Sequence, residues 1–245
     1  MQKPSWQRDQ PGSSIGFGRR RFLRRANPEK FMGRTSDAKE RLLQVAFDLI
    51  WEQSYGSVSV EQICVRADVN KGSFYHYFAS KSELAAAAYE EHWREKQPEM
   101  DRIFSPQNPP LTRLHLWCKD IFVRQKAKAE QYGHVGGCPY ASLGAELATQ
   151  DEKIRGKTGE LVDRTLLYLE NALTDAKQQG LGTIDDPRLM AKRVHFLVLG
   201  SLLHAKIRNQ LAELEDLEAA IFDLIRAPRP DGCHGLQPTF IRHEL

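Results

Sequence analysis

The amino-acid sequence predicts an all-α protein in which a three-helix N-terminal domain precedes a larger helical domain. Apolar residues recur at the three- and four-residue spacing of a helix face, first in SDAKERLLQVAFDLIWEQ at residues 36–53. Helix-opening pairs, in which Ser or Asp precedes Glu or Gln by three positions, begin at Asp37, Ser59 and Ser80. No segment alternates apolar and polar residues as a strand would, so helices account for the whole predicted fold.

Length and composition indicate a water-soluble protein with a substantial core. The 245 residues suffice for one larger domain or two small ones. The longest apolar run, FLVLGSLL at residues 196–203, is far shorter than the ~18 residues of a membrane-spanning helix. The four cysteines have neither a CxxC pair nor zinc-site spacing, which indicates free thiols in a reducing compartment. We therefore expect a cytoplasmic protein without a metal, a cofactor or a membrane partner.

The net charge is unevenly distributed along the chain. Residues 1–33 carry eight Lys or Arg and two Asp or Glu, a net of +6, whereas the whole chain carries only +3. We expect residues 1–35 to form a disordered basic arm, either a solvated tail or a sequence-independent phosphate contact. The segment MGRTSDAKE at 32–40 is an alternative natural start, which would make the first 31 residues an optional extension. Residues 227–245 are predicted to be a disordered tail.

The N-terminal domain is predicted over residues 36–96. Its first helix ends before SYGSVS, and Ser59 opens a short helix, VEQICVRA. The segment DVN is then a turn, and a second short helix runs from it to about Phe78. Ser80 opens a longer helix, which we expect to end near Pro98.

The C-terminal domain is predicted over residues 97–226 and consists of helices joined by loops rich in Gly and Pro. Gly180 is expected to terminate the long helix that precedes it. Asp186 and Pro187 are expected to be the N-cap and the first residue of the next helix. The helices of this domain are predicted at 111–130, 140–149, 151–179, 187–207 and 211–226.

Two short helices joined by a three-residue turn have the size of a helix-turn-helix. On a helical wheel of the second short helix, Phe74, Tyr77 and Phe78 fall on one side and face the core. The other side presents hydroxyl and imidazole groups which, together with Lys71, can contact base edges and phosphates. The residues on that outward side are Gly72, Ser73, Tyr75 and His76.

The stretch SVSVEQICVRADVNKGSFYHYFASKSEL at residues 57–84 resembles the DNA-binding signature of the tetracycline-repressor (TetR) family. A packed helical hairpin fits the spacing about equally well, and the resemblance decides between the two. It implies a homodimer that binds a double-stranded DNA operator through its N-terminal domain and a small-molecule effector through its C-terminal domain, without catalysis. The residues for which it implies DNA contact are Arg34, Ser59, Lys71, Gly72, Ser73, Tyr75, His76 and Lys81.

Two positions depart from the family pattern, which has glycine at both. Asp68 stands before the valine of the turn, and Ser54 stands before the aromatic residue that follows the first helix. Both positions are expected to need left-handed backbone geometry, which Asp tolerates and Ser tolerates less well. We therefore expect mild strain rather than a different fold.

The segment GGCPYASLGAELA resembles a Gly-Cys-Pro stretch in a subset of these regulators, some of which respond to reactive electrophiles. Pro139 is a natural first helical residue, which places Cys138 at the N-cap, where free N–H groups and the helix dipole lower the pKa of a thiol. His134 can add charge stabilisation when protonated. The alternative is that Cys138 is a small buried hydrophobic residue. The candidate effector-binding residues are Trp117, Cys118, Phe122, His134, Cys138, Tyr140, Tyr168, His195 and Phe196.

The predicted function is a ligand-responsive transcriptional regulator, a repressor that leaves a palindromic operator when its effector binds. The alternatives are a transcriptional activator of the same fold, a DNA-packaging protein, and a thiol-dependent enzyme that uses Cys138 with His134. The enzyme has little support because a thiol catalyst needs both a positioned base and an orienting group. The dimer interface is predicted on residues 187–207 with 154–177, where small residues permit close helix approach; packing within one subunit is the alternative.

Overall fold

The computed structural model describes residues 29–229, with side chains from residue 37 onward. Within those residues the regular structure is entirely helical, as the sequence predicts, and no helix is long and apolar enough to span a membrane. Residues 1–28 and 230–245, which hold most of the predicted arm and tail together with Cys233, lie outside the described part. The helices are α1 Glu29–Gln53, α2 Val60–Ala67, α3 Lys71–Tyr77, α4 Lys81–Ile103, α5 Pro110–Tyr132, α6 Pro139–Leu147, α7 Glu152–Gln178, α8 Pro187–Arg208, a 3₁₀ turn Leu211–Leu214, and α9 Leu217–Ile225.

The first helix begins earlier than the sequence analysis predicted. Helix α1 starts at Glu29, so residues 29–35 of the predicted arm are helical and Asp37 lies inside the helix rather than at its N-cap. Asp37 and Glu40 are both exposed on the helix surface. An acidic pair three residues apart is common on a solvated helix face as well as at a helix start, which explains the wrong assignment.

The head, which we define as α1–α3 (Glu29–Tyr77), closes around one aromatic cluster. Phe74 is 0% exposed and Phe78 is 3% exposed, as their predicted inward phase requires. They belong to the same buried cluster as Leu42 on α1 and Ile63 on α2. Helix α3 is only seven residues long, so its stability comes from this packing rather than from helix propensity.

Side-chain caps define where the short helices of the head begin. Ser59 and Gln62 form the complete capping box that the sequence predicts: the Ser59 hydroxyl accepts from the Gln62 N–H, and the Gln62 side chain accepts from the Ser59 N–H. Ser80 caps α4 through its hydroxyl, also as predicted. Asn70, which we assigned to the turn, caps α3 by accepting from the Ser73 N–H at 2.8 Å.

The two expected left-handed positions are confirmed. Ser54 has φ 86° and Asp68 has φ 52°, so both residues end a helix where the family has glycine. Arg41 stabilises the turn after α2, since its Nε donates to the Ala67 carbonyl at 2.8 Å. Ser54 and Asp68 thus both adopt the left-handed geometry that was expected of them.

Helix α4 continues through Pro98 to Ile103, five residues beyond its predicted end. Pro98 is exposed, whereas Met100 and Ile103 are 0% exposed in the core. Burial of these two large side chains offsets the missing proline hydrogen bond. The amide of Asn108 then satisfies the last carbonyls of α4, donating to the Ile103 oxygen at 2.9 Å.

The body, which we define as α4–α9 (Lys81–Ile225), packs α7 against α4, α5, α6 and α8. Asp186 caps α8 and Gly180 follows α7 with φ 68°, both as predicted. The predicted last helix is instead a 3₁₀ turn followed by α9. Tyr140 and Leu143 of α6 share the buried cluster of the head, so α6 joins the body to the head.

Candidate DNA-binding surface and effector cavity

The outer face of the α2–α3 pair is polar and exposed. Lys71, Gly72, Tyr75 and His76 are all exposed, and the Tyr75 ring is 58% accessible while its neighbour in sequence, Phe74, is fully buried. Ser73 is half-buried and Ser59 is exposed at the start of α2. The structure therefore brings six of the predicted DNA-contacting residues onto one helical hairpin. Their contacts with DNA stay a prediction.

The N-terminus of α3 is held by a side-chain cap and an ion pair. A Cβ at Gly72 would lie only 3.2 Å from the Asn70 Oδ1 atom that caps the helix, so glycine leaves the cap undisturbed. Lys71 pairs with Glu61 of α2, and this hydrogen bond lowers the pKa of the Glu61 carboxyl and raises the pKa of Lys71. Both side chains are exposed, so the pair is weak and Lys71 can exchange its partner for a phosphate.

Lys81 and Arg34 differ from the other predicted DNA contacts. The Lys81 ammonium donates to the carbonyls of Tyr55 and Val58 at 2.9 and 2.8 Å, and it lies over the Tyr55 ring. Lys81 thus ties the start of α4 to the loop between α1 and α2, with one N–H left for a phosphate. Arg34 lies in α1, and its side chain is outside the described part of the structure.

A cavity of about 80 Å³ lies in the body, enclosed by α4–α8 with Trp51 of α1 at one side. It brings together four of the nine predicted effector residues, from three different helices. Helix α4 adds His92 and Lys96, and α5 adds Asp120 and Arg124, none of which the sequence analysis named. Their only local signal is the four-residue spacing within each pair, which places both members on one helix face. The predicted residues that line the cavity are Trp117, Cys138, Tyr140 and His195.

The other five predicted effector residues lie elsewhere. Cys118 is buried in the body core, against which Phe122 also packs. The Tyr168 hydroxyl binds Asp101, and Phe196 is 66% exposed. His134 stacks on Tyr132 with ring centroids 6.3 Å apart and does not line the cavity. These five residues do not line this cavity, because helical phase, which only the fold reveals, directs them to other surroundings; their contact with an effector stays a prediction.

Cys138 occupies the N-cap of α6 as predicted. Its Sγ atom accepts a hydrogen bond from the Ala141 N–H at 3.5 Å, and Pro139 is the first helical residue. The predicted lowering of its pKa is wrong. Burial raises the pKa of the Cys138 thiol, and this outweighs the lowering by helix N–H groups and by the cations of Lys96 and Lys206. His134 is not among the groups that act on it.

The two histidines in the cavity are neutral. Burial, with Lys96 nearby, lowers the pKa of His195 to about 4 and that of His92 to about 3. Among the described residues no group of three or more His, Cys, Asp or Glu side chains is placed to hold a metal ion. The cavity therefore offers imidazole, phenol, indole and ammonium groups beside a thiol and an apolar wall.

Two contacts join the cavity to the head. Trp51 of α1 donates its indole N–H to the Gly136 carbonyl at 3.0 Å, and a Cβ at Gly136 would lie 3.0 Å from that indole ring. Glu146, near the end of α6, accepts from the backbone N–H groups of Tyr55 and Gly56 at 3.0 and 2.6 Å. Helix α6, whose N-cap is Cys138, thus contacts near its other end the loop that leads into α2.

A polar helical hairpin on a three-helix head, joined to a helical body with an internal cavity, is the architecture of a DNA-binding regulator with a ligand site. Comparison with known families agrees with this class. The family model described as bacterial regulatory proteins, tetR family, matches residues 42–88. A second model, described as tetracyclin repressor-like, C-terminal domain, matches residues 110–221. The chain belongs to the TetR family, and it is a ligand-responsive, DNA-binding regulator of transcription.

Individual relatives extend the similarity over most of the chain. The HTH-type transcriptional repressor NemR of Escherichia coli K12 is 25% identical over 193 residues, which cover 78% of this chain and 96% of NemR. The transcriptional regulator AcuR of Cereibacter sphaeroides is 27% identical over 208 residues, 84% of each chain. The crystal structure of reduced E. coli NemR has a TM-score of 0.69 at 26% identity and covers 78% of this chain and 98% of that one.

Proposed function

We propose that the chain is a repressor that binds a palindromic operator as a homodimer and leaves it when a small molecule enters the cavity beside Cys138. The observation that carries the DNA-binding half is the division of α3 into a buried aromatic side and an exposed polar side. Because buried Phe74 anchors α3 in the head, Tyr75 and His76 project outward at defined positions. The relative NemR is itself named a repressor, which supports repression over activation.

An apolar stripe on α8 supports the homodimer. Phe196, Leu203 and Ile207 are 66%, 58% and 71% exposed, and with Gly200 they follow the spacing of one helix face. A Cβ at Gly200 would meet nothing within 4 Å, so a second helix can approach closely there. Leu167 of α7 is also 59% exposed. These positions lie within the predicted interface ranges, and a second copy that covers them would form an antiparallel or parallel four-helix contact.

Helix α6 is the proposed connection between effector and DNA. Its N-cap, Cys138, lines the cavity, and Glu146 holds two backbone N–H groups of the loop before α2. A molecule that displaces the start of α6 therefore pulls on the loop that positions α2 and α3. Such coupling requires that the effector bind the operator-free arrangement more tightly than the operator-bound one.

Selection of binding sites from a random duplex pool by the purified full chain tests this function. We expect a near-palindromic site whose half-site centres lie one helical turn, about 34–36 Å, or a multiple of it apart. Lys71→Ala and Tyr75→Phe should weaken binding to that site in fluorescence anisotropy, whereas Lys119→Ala, an exposed lysine on α5, should not. Recovery of DNA without two-fold symmetry, or equal affinity for all sequences, would support a DNA-packaging protein and refute the proposal.

The thiol-enzyme alternative receives no support from the cavity. Cys138 has a raised pKa, and His134, its predicted base, does not line the same cavity. The neutral His195 does line it, but no carboxylate of the described residues hydrogen-bonds to His195 to orient it as a base. We therefore assign the cavity to binding rather than turnover.

A further inference from the structure

The cavity holds hydrogen-bond donors without acceptors. The Trp117 Nε1 and Tyr140 Oη atoms are buried and have no hydrogen-bond partner, in side chains only 3% and 5% exposed. Lys96 lines the same cavity, and its ammonium makes no hydrogen bond or ion pair with another residue in the described part of the structure. Buried polar groups are almost always paired, so these two buried donors, together with the unpaired ammonium of half-buried Lys96, call for an explanation.

The other charged side chains and the amide of the cavity already have partners. Arg124 holds Asp120, the only carboxylate in the lining, through Nε hydrogen bonds of 2.8 and 2.9 Å. Gln125 exchanges two hydrogen bonds with the backbone of Gly137, at 3.0 and 2.9 Å. Since the two histidines are neutral and Asp120 is bound by Arg124, Lys96 is the one cation of the lining without a bonded carboxylate. Burial, with Arg124 nearby, lowers the pKa of Lys96, so its ammonium form needs an anion for stability.

An anion would complete this arrangement. An ammonium group out of bulk water is destabilised unless a negative charge and hydrogen-bond acceptors surround it. The side of the cavity made by Ile121, Val198 and Leu202 is apolar, which suits a short alkyl group rather than an inorganic oxyanion. The cavity of about 80 Å³ is several times the ~10–15 Å³ of such space that one water needs, so it has room for a small organic molecule.

We propose that the cavity binds a small monocarboxylate, whose oxygens accept hydrogen bonds from Lys96 and from the unpaired donors of Trp117 and Tyr140 while its alkyl group packs on the apolar side. This inference rests on the proposed effector site and names the chemical class of its ligand. Binding is non-covalent and leaves Cys138 unmodified.

Isothermal titration of the full chain with propionate tests the proposal. We expect wild type to bind propionate, and the uncharged isostere propionamide to bind about tenfold to a hundredfold more weakly, since a hydrogen bond to a charged group is lost. Lys96→Met, which keeps the side-chain length, should weaken propionate binding by a similar factor. Lys119→Met, an exposed lysine on α5, is the matched control and should bind as wild type does. Inorganic phosphate, which has no alkyl group for the apolar side, should not compete.

Three outcomes would overturn the proposal: no binding of propionate or acetate to wild type, equal binding of propionamide, or full binding by Lys96→Met. The melting temperature without ligand shows whether Lys96→Met folds as stably as wild type does. Lys96→Met should melt at the wild-type temperature or above, because an unpaired ammonium is removed, whereas a lower melting temperature would show that Lys96 has a structural partner. Operator affinity, measured without ligand, is a separate readout. If the wild-type chain binds no operator in the absence of ligand, the regulator function is refuted, whereas carboxylate binding is still supported by the titration.

Discussion

Substitution of Glu146 should loosen the head without touching the DNA-contacting residues. Glu146→Ala removes the carboxylate that accepts from Tyr55 N–H at 3.0 Å and Gly56 N–H at 2.6 Å. A hydrogen bond to a charged group is worth about 1.5–3 kcal/mol, and Gly56 is exposed, so water can replace part of what is lost. We expect a net loss of about 2 kcal/mol in stability, which lowers Tm by about 4–8 °C for a chain of this size.

Operator affinity should fall with Glu146→Ala, because the same loop carries Ser59, the N-cap of α2. Differential scanning fluorimetry and fluorescence anisotropy on the selected operator measure the two effects. Glu146→Gln, which retains an acceptor oxygen without the charge, should be intermediate. Glu130→Ala on the exposed surface of α5 is the matched control. Equal Tm and equal operator affinity in Glu146→Ala and Glu130→Ala would show that this carboxylate does not tether the head.

Four further predictions separate the roles assigned to individual side chains. Phe74→Ala should cost about 3–5 kcal/mol and unfold the head in circular dichroism, whereas Tyr75→Phe should keep full helicity and lose only operator affinity; equal helicity in both would contradict the assigned phase of α3. Leu203→Glu should convert the dimer to a monomer in analytical ultracentrifugation, and a persistent dimer would place the interface elsewhere. His195 has a pKa of about 6.5 when unfolded and about 4 when folded, so it binds fewer protons in the native state. The free energy of unfolding should therefore fall as pH drops below 6.5, by up to about 2 kcal/mol at pH 5. His195→Gln should flatten this pH dependence in denaturant titrations. N-ethylmaleimide should label the Cys138 thiol slowly at pH 7 and faster as pH rises, and Cys138→Ser should abolish any release of operator by the reagent; a variant that still releases would exclude a thiol sensor.

The parts of the fold that the sequence predicted correctly are those controlled by neighbours in the chain. The caps at Ser59, Ser80 and Asp186 depend on a side chain reaching an N–H group two or three residues away. The inward phase of Phe74 follows from helical periodicity within seven residues. The left-handed geometry at Asp68 follows from its place at the end of α2. In each case the structure adds partners but does not change the assignment.

The errors arise where distant segments decide the outcome. Helix α4 continues past Pro98 because Met100 and Ile103 find a core that α5 and α7 provide. The cavity joins His92 and Lys96 to residues of α5 and α6, and no short motif connects these helices. Five of the nine predicted effector residues do not line it, since an aromatic or thiol side chain can face the core, solvent or a cavity with the same local sequence.

Cys138 shows how a correct local assignment can give the wrong chemistry. The N-cap position follows from Pro139 alone, and the helix N–H groups do lower the pKa of the thiol there. The net direction is nevertheless upward, because the thiol is desolvated in the interior of the fold. Lys96, from a helix some forty residues earlier in the chain, supplies the nearby positive charge that His134 was expected to provide. The positive charge of Lys96 also distinguishes two ways in which this cavity can detect a molecule: non-covalent binding of an anion, and covalent reaction with the Cys138 thiol. An unpaired ammonium beside a protonated thiol favours a ligand that arrives with its own negative charge over one that must first be attacked by a thiolate.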